Sequence, residues 1–168
     1  LAWSVPTLTT TRNADEADPV TQLIHQLLVS GLPPEEIGVV TPFRAQASRV
    51  RTLLRGDRFK SSFPHVWKTI TVDTVERFQG QEREVILYSF TSSEPAFIRK
   101  LGNFLFQHAR LNVAVTRART KVMLLHSQEL ESYARTLPYG KASEAVAVFI
   151  SLLDAATNIN PSDGTPVS

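Results

Sequence analysis

The sequence predicts an α/β domain in which a mostly parallel central sheet is covered by helices on both faces. Strand-like apolar runs alternate with amphipathic stretches of helical period along most of the chain. The clearest strand-like run, residues 84–91, is largely apolar and does not alternate between apolar and polar residues. Strands that are buried on both faces have this continuous pattern, which is typical of parallel sheets between two helical layers.

Composition indicates one globular domain with a hydrophobic core. The chain has 168 residues, of which 42% are hydrophobic and 20% charged, so it is large and apolar enough to form such a core. The formal net charge is only +2, so any nucleic-acid site has to arise from the local placement of basic residues. The sequence begins at Leu1 in the middle of a strand-like pattern, and we expect it to be a piece of a longer protein.

Several kinds of site and location are not expected. The absence of cysteine excludes disulfides and cysteine-ligated zinc, and it is typical of a reducing compartment. No apolar run reaches the ~18–20 residues of a membrane span, and no secretory signal is present. The histidines are scattered singly, so we expect no metal site. These features predict an intracellular protein without a membrane partner.

The alternating pattern begins with a strand at 4–11, placed at the edge of the sheet by Pro6. A helix follows, for which Asp18 is the expected N-cap, Pro19 the first helical residue and Gly31 the residue after the end. The remaining elements are expected to be a strand at 37–41, a helix at 44–55, a loop at 56–68, a strand at 69–73, a turn or short helix at 74–82, a strand at 84–91, a loop at 92–106, a helix at 107–119, a strand at 121–127 and helices at 128–136 and 141–156. We place the domain at 1–156 and a mobile tail at 157–168.

Three polar segments adjoin the apolar strands and carry the candidate site residues. They are 41–46, 73–82 and the arginine-rich segment 110–119. Ligands bind at the carboxyl ends of the strands in open parallel sheets, so we expect all three segments to lie at that edge. No G-x-x-x-x-G-K-[ST] loop is present, so this chain alone cannot hold a nucleotide in the way a complete P-loop protein does.

Residue types alone leave two interpretations open for the second and third segments. The sequence VERFQGQERE is either an exposed charged turn in which Gly80 has a positive φ, or a loop whose backbone N–H groups and carboxylate approach a ligand. In RLNVAVTRAR, Arg110 and Arg117 are seven residues apart and share a helical face, whereas Arg119 points elsewhere. These arginines either form a solvated basic face or include one that contacts a phosphate.

Three stretches of the sequence resemble one family in their order and spacing. EIGVVTPFRAQ (36–46), TITVDTVERFQGQEREVILYSFT (69–91) and FLFQHARLNVAVTRARTKVMLL (104–125) are similar to the last three motif blocks of the superfamily 1 helicases. The likeness is greatest to the 5′-to-3′ branch, which includes the nonsense-mediated-decay RNA helicase and the Dna-type nuclease-helicases. The resemblance implies the second of two RecA-like domains, which clamp ATP between them and hold single-stranded nucleic acid across their tops.

The resemblance also implies which residues serve the nucleotide. Arg117 matches the arginine finger that reaches the γ-phosphate of ATP, and it is therefore the expected catalytic residue. Gly80, Gln81 and Glu82 match the segment expected near the nucleotide. In the family, ATP and its Mg²⁺ are held mainly by the first RecA-like domain, which this sequence does not contain.

A track for single-stranded DNA or RNA is implied as well. Thr41 and Thr74 match positions that grip the nucleic-acid backbone, and Phe43 and Asp73 lie beside them in the sequence. Such contacts read phosphate and sugar, so binding is expected to be independent of base sequence and sensitive to salt. Phe43 either stacks on a base or packs beneath the motif, with packing favoured, and Gln46 is expected to brace the site.

Two departures from the family limit the activity expected of the isolated chain. The Walker motifs, and the Gln-Tyr-Arg-Met segment that supplies a second arginine and a base-stacking tyrosine, have no match here. We therefore expect the isolated chain to bind ATP weakly and not to hydrolyse it. The alternative function is a degenerate helicase-like domain that acts as a nucleic-acid or protein binding module without ATPase activity.

Overall fold

A parallel sheet lies at the centre of the molecule. The structure, a computed structural model, describes residues 2–3, 9–78, 80–137 and 144–159. Within these ranges the strands are β1 (Ala2–Trp3), β2 (Ile37–Thr41), β3 (Thr71–Thr74), β4 (Arg83–Ser89) and β5 (Ala118–Ser127). They lie in the order β1-β5-β4-β2-β3, and each neighbouring pair is parallel. The predicted α/β fold with a parallel sheet is confirmed.

Helices cover both faces of this sheet. Those in the described ranges are α1 (Ala14–Val29), α2 (Arg44–Leu54), α3 (Asp57–Lys60), α4 (Val66–Thr69), α5 (Pro95–Leu105), α6 (His108–Arg117), α7 (Gln128–Thr136) and α8 (Glu144–Ala155). Helices α1 to α4 pack on one face and α5 to α8 on the other, each group against its own cluster of buried apolar side chains. The result is the three-layer architecture of a RecA-like domain.

The two clusters explain why the strands are apolar without alternation. Along β2, Val39 belongs to the cluster beneath α1 to α4, whereas Val40 belongs to the cluster beneath α5 to α8. Along β4, Leu87 and Ile86 divide between the clusters in the same way. Successive side chains of a strand point to opposite faces, so a strand between two helical layers buries apolar residues on both.

Helix α1 begins upstream of its predicted start. Asn13 is the N-cap, and its side-chain oxygen accepts a hydrogen bond from the backbone N–H of Glu16 at 3.0 Å. Asp18 and Pro19 therefore lie inside the helix, and their predicted roles as N-cap and first residue are wrong. The reason is that Asn13 caps the helix one turn earlier, and α1 accommodates Pro19 in its interior although this residue has no backbone N–H to donate. The predicted end is confirmed, since Gly31 follows the helix with a φ of 91°.

Two segments that the sequence predicts as loops contain helices. Residues 92–106 include α5, whose first turn is capped by the carboxylate of Glu94. Gly102, which interrupts the helical pattern in the sequence, lets this helix approach α7, because an added Cβ would lie 3.0 Å from the Tyr133 side chain. Residues 56–68 contain α3 and the first residues of α4. The predicted loop at 92–106 is therefore mostly a helix that packs closely against α7, a contact that the local sequence pattern does not show.

Several other boundaries differ from the prediction. Strand β5 begins at Ala118, so Arg119 lies in a strand and not in the predicted helix, whereas the helix at 128–136 is confirmed as α7. The strand predicted at 4–11 falls mainly outside the described residues, and residues 9–11 are not in a strand. The predicted tail lies outside the described residues from 160 onward. Over the described ranges, no helix has both the length and the apolar character that a membrane span requires.

Candidate nucleotide and nucleic-acid edges

The residues predicted to contact nucleic acid lie at the carboxyl edge of the sheet, where the strands end. Thr41 ends β2 and Thr74 ends β3, and the two are register partners on neighbouring strands. Asp73 precedes Thr74, and Phe43 is the N-cap of α2 just after β2. The structure therefore brings these four residues to one edge.

The residues predicted to serve the nucleotide lie at the opposite, amino edge, where the strands begin. Arg83 and Ala118 are the first residues of β4 and β5 and are register partners. Gly80, Glu82 and Arg117 come shortly before them in the sequence. The expectation that all three polar segments share the carboxyl edge is therefore wrong. The segment after β3 crosses the sheet before it enters β4, and the arginine segment is a helix that ends where β5 begins.

Arg117 is only loosely paired at the amino edge. Its NH1 lies 3.9 Å from Oε1 of Glu82, and about a third (34%) of its side chain is exposed. Its Nε is buried and has no hydrogen-bond partner among the described residues. Nearby in the sequence, Gly80 has a φ of 78°, and no heavy atom lies within 4 Å of the place where its Cβ would be. A cation and an uncrowded backbone turn at one edge suit a phosphate group.

The two other arginines of this segment are held in close pairs. Arg110 is largely buried and forms an ion pair with Glu76. Arg119 is paired with Glu36 and Glu84 near the surface. Hydrogen bonds from Thr120 and then from this arginine hold the pKa of the Glu84 carboxyl below its ordinary value. Arg117, at the end of α6, is therefore the arginine of this segment with the weakest carboxylate pairing among the described residues.

The loop before β4 is anchored by its own side chains. Gln81 donates from Nε2 to the backbone carbonyl of Arg77 at 3.2 Å, and its Oε1 accepts a hydrogen bond from Arg83 at 3.0 Å. Phe78 is fully buried and packs against Gly38 of β2, where an added Cβ would lie 2.5 Å from the ring. These contacts hold the loop in place and occupy the Gln81 amide, which the sequence predicts to lie near the nucleotide.

The threonine hydroxyl groups at the carboxyl edge are not openly exposed. Thr41 is fully buried, and its Oγ1 lies 3.1 Å from Oγ1 of Thr91. Thr74 is 5% exposed, and its backbone N–H donates to Oδ1 of Asp73 at 2.8 Å. Asp73 also forms an ion pair with Arg51 at 3.3 Å. The side chains predicted to grip nucleic acid are therefore already engaged or shielded in this conformation.

Helix α2 has an N-terminus that is not capped by a side chain. The helices that follow β4 and β5 are capped by Glu94 and Ser127, whereas α2 has Phe43 at this position. The first backbone N–H groups of α2 therefore remain available to an anion. Phe43 stacks on Phe104, with ring centroids 5.7 Å apart, which supports packing over base stacking for this side chain.

Comparison with known proteins identifies the family. A family model described as an AAA domain matches residues 4–129. The chain is 36% identical over 126 residues to the putative helicase MOV-10 of Gallus gallus, covering 67% of this chain and 13% of that protein. It is 36% identical over 128 residues to the DNA replication ATP-dependent helicase/nuclease DNA2 of Mus musculus, covering 76% and 11%. A regulator of nonsense transcripts 1 homolog of Arabidopsis thaliana is 35% identical over 120 residues, covering 71% and 9%. The chain belongs to the AAA domain family, in the 5′-to-3′ branch of the superfamily 1 helicases.

The family match includes both candidate edges of the helicase domain. All three polar segments, from Thr41 to Arg119, fall within the matched residues. The helicase domain spans about a tenth of the length of these relatives. The match therefore establishes the family of this chain.

The helicase domain also contains a buried polar cluster near the carboxyl edge that the sequence analysis missed. The carboxylate of Glu16 accepts hydrogen bonds from Oγ of Ser89 at 2.5 Å and from the Thr91 N–H at 2.9 Å. Burial raises the pKa of Glu16 to about 7, although these hydrogen bonds act in the opposite direction. Gln46 donates to Ser89 and to the Asn13 carbonyl, both at 3.1 Å, and so braces the edge. The Asn13-to-Glu16 spacing is a helix-start signature that marks the first turn but not its burial.

His126, near the end of β5, is a second buried ionisable group that the sequence analysis missed. Its Nδ1 lies 3.1 Å from the carbonyl oxygen of Ser127. Burial lowers the pKa of His126 to about 4, so the imidazole is neutral near pH 7. A single histidine at the end of an apolar strand is the only sequence signal for this group.

Proposed function

We propose that residues 1–156 are the second motor domain of an ATP-dependent DNA or RNA helicase or translocase. The observation that carries this proposal is Arg117, whose side chain is partly exposed at the amino edge and whose NH1 lies 3.9 Å from Oε1 of Glu82. An arginine finger has to keep its charge available for a phosphate that another domain holds. This side chain meets that requirement, whereas the neighbouring arginines are committed to close pairs.

Arg117 is the proposed catalytic residue. Phosphoryl transfer places negative charge on the equatorial oxygens of the γ-phosphate, and a guanidinium at that position contributes about 10³–10⁵ in rate. Glu82 is proposed to orient this guanidinium, and Gly80 to let the backbone approach the nucleotide closely. Gln81 is proposed to support the loop through its hydrogen bonds to Arg77 and Arg83.

The residues present fit part of a site for ATP with Mg²⁺. The cation and open backbone turn of the amino edge suit phosphate oxygens. Over the described part of the chain, no group of three His, Cys, Asp or Glu residues is placed to hold a metal ion. We therefore assign the metal ligands to ATP and to a first RecA-like domain. A bound Mg²⁺ would neutralise negative charge on the phosphate oxygens, and this chain would contribute the guanidinium of Arg117.

The carboxyl edge is the proposed track for single-stranded DNA or RNA. Thr41 and Thr74 stand side by side at the ends of β2 and β3, and the uncapped N-terminus of α2 begins just after β2. Arg44, in the first turn of α2, is exposed and adds positive charge. Contacts of this kind bind phosphate and sugar, so affinity should fall with salt and vary little with base sequence.

ATPase activity of the full-length protein that contains this chain tests the proposed function. Turnover is expected to rise when single-stranded DNA or RNA is added, and comparison of the two nucleic acids identifies the substrate. Single-strand binding without any ATP turnover would instead support the alternative, a degenerate helicase-like binding module.

The isolated chain is expected to bind ATP weakly and not to hydrolyse it. The reason is that the phosphate-cradling Walker motifs are absent from its 168 residues. Phosphate release from the purified chain, measured beside the full-length protein as a positive control, checks this expectation. Sustained turnover by the isolated chain would contradict it.

The variant Thr74→Val is expected to weaken single-strand binding by the full-length protein about tenfold, because it removes one hydrogen bond to a charged phosphate. Basal ATPase activity should persist, since Thr74 lies at the edge opposite to Arg117. Thr52→Val is a matched control, because the exposed Thr52 hydroxyl donates to the Ser48 carbonyl within α2. Fluorescence anisotropy with a labelled oligonucleotide measures the affinity. A loss of ATP affinity in the Thr74 variant would place this residue at the nucleotide site instead.

An intracellular location is part of the same proposal. The names of two relatives refer to DNA replication and to nonsense transcripts, and processes of this kind take place inside the cell. The absence of cysteine agrees with a reducing compartment. Microscopy of the tagged full-length protein checks the location.

A further inference from the structure

We propose that Arg110 is a positioning residue that couples nucleic-acid binding at the carboxyl edge to ATP hydrolysis at the amino edge. The inference rests on the proposed function, because it takes these two ligands to bind at these two edges. Its basis is a single, largely buried guanidinium that connects three parts of the domain: α6, the loop between β3 and β4, and α5.

The first connection is along α6, the helix that ends in the proposed arginine finger. Arg110 lies seven residues before Arg117, about two helical turns, on the same ten-residue helix. Only 11% of the Arg110 side chain is exposed, and its Nε donates to Oε1 of Gln107 at 3.0 Å. Backbone hydrogen bonds make a helix of this length stiff, so a displacement of Arg110 also displaces Arg117.

The second connection is to the loop that joins the two edges. The Arg110 guanidinium forms an ion pair with Glu76, which follows Thr74 by two positions. The same loop continues to Gly80 and Glu82 at the amino edge. A ligand that displaces the end of β3 therefore acts directly on this ion pair.

The third connection is to α5 and, through it, to α2. The Arg110 guanidinium lies 3.9 Å from the centre of the Phe104 ring, in a cation–π contact. Phe104 in turn stacks on Phe43, the N-cap residue of α2, at an interplanar angle of 30°. Arg110 is thus linked to the carboxyl edge in two ways. Glu76 connects it to the end of β3, and the Phe104 and Phe43 rings connect it to the start of α2.

The two partners of this ion pair differ in burial, so a ligand can displace Glu76 while Arg110 stays enclosed. Glu76 is 55% exposed and accessible to solvent, whereas Arg110 is nearly enclosed. A buried cation that loses its partner has to find another one. NH1 of Arg110 and the hydroxyl of Tyr88 are both buried without a hydrogen-bond partner among the described residues. Burial is the main cause of the raised pKa of Tyr88, and the charge of Arg110 opposes it, so the two groups interact. Displacement of Glu76 would therefore leave the Arg110 guanidinium without an ion-pair partner among the described residues.

The test measures basal and nucleic-acid-stimulated ATPase activity of the full-length protein and of its Arg110→Gln and Glu76→Gln variants. The probes are a single-stranded oligothymidylate and an oligouridylate. We expect each variant to lose about tenfold in stimulation, within the usual range of coupling between two sites. Basal turnover and oligonucleotide affinity should change by no more than about threefold, because neither residue touches a ligand. The double variant should lose little more stimulation than Arg110→Gln alone, since Glu76→Gln removes an ion pair that Arg110→Gln has already removed.

Arg135→Gln is the matched control, because it also removes a paired arginine but lies outside the three connected parts. Arg135 pairs with Glu131 and Asp154, and its variant should keep full stimulation. Should Arg110→Gln fail to fold, Glu76→Gln still tests the pair, because Glu76 is half-exposed and leaves no new cavity. Thermal unfolding of each variant separates these cases.

If nucleic acid stimulates the wild-type ATPase, either of two outcomes would overturn the coupling and leave the proposed function intact. One is full stimulation in both Arg110→Gln and Glu76→Gln, and the other is an equal loss of basal turnover and stimulation, which a merely structural role would produce. A wild-type protein whose ATPase activity does not respond to either oligonucleotide would overturn the proposed function and the coupling together.

Discussion

Replacing Arg117 with alanine in the full-length protein is expected to lower ATP turnover by about 10³-fold or more, because the γ-phosphate loses the guanidinium that stabilises its developing charge. Single-strand binding should be largely retained, since Thr41 and Thr74 lie at the opposite edge of the sheet. Phosphate release at saturating ATP and oligonucleotide measures turnover, and fluorescence anisotropy measures binding.

Arg119→Ala is the matched control for this experiment. Arg119 is two residues away from Arg117, but it is held by Glu36 and Glu84 near the surface, so its removal should leave turnover unchanged. Arg117→Lys should not restore activity, because an ammonium group lacks the planar fork of donors that matches a phosphate. Turnover that survives in Arg117→Ala would show that the finger assignment is wrong.

Glu16 and His126 are expected to give the stability of the protein opposite dependences on pH. Burial raises the pKa of Glu16 from its ordinary value of 4.5 to about 7, so the folded protein holds this proton more tightly than the unfolded chain. The stability that this group contributes is fully present below pH 4.5 and is lost as the pH rises through 7. The loss amounts to about 3 kcal/mol.

His126 has the opposite effect. Burial lowers its pKa from the ordinary value of 6.5 to about 4, so the folded protein resists protonation of the imidazole. The stability that this group contributes is fully present above pH 6.5 and is lost as the pH falls towards 4, again by about 3 kcal/mol. Between about pH 4.5 and 6.5 the two contributions oppose each other, and the wild-type profile should be nearly flat in this interval.

Single substitutions separate the two contributions. Glu16→Gln should leave the His126 effect alone, so that stability rises by about 2–3 kcal/mol between pH 4.5 and 6.5. His126→Gln should leave the Glu16 effect alone, so that stability falls by a similar amount over the same interval. Urea unfolding at several pH values measures the free energy of unfolding, with Glu144→Gln as a control at an exposed glutamate. Profiles that remain flat in both variants would contradict these assignments.

The elements that the sequence predicts best are those with a strong local signal. Strand β2 matches the prediction at 37–41, and the helix at 128–136 matches as well, because burial periodicity is visible among neighbouring residues. Helix α5 was missed because Pro95 and Gly102 are typical of loops. In the folded protein, Pro95 occupies the first helical turn, and Gly102 makes room for the Tyr133 side chain.

The candidate site could be predicted only in part. The polar segments themselves were found from their position beside apolar strands and from their motifs, but Glu16 was not. Its burial depends on Ser89 and Thr91, which lie far away in the sequence and approach it only in the folded chain. A local pattern can indicate that a helix starts near Asn13, but it cannot indicate what that helix packs against.

The three-layer fold class, the alternation of strands and helices, and the three polar segments can all be inferred from the sequence. That these segments occupy two opposite edges is visible only in the folded chain, because the edge depends on where the chain crosses the sheet. The tertiary structure also decided which arginine of RLNVAVTRARTKVMLL remains available, because the partners of Arg110 and Arg119 come from distant segments. Periodicity is a property of adjacent residues, whereas the pairing of a charge is a property of the folded molecule. Arg117 is distinguished from its neighbours by the close carboxylate partners that they have and that it lacks among the described residues.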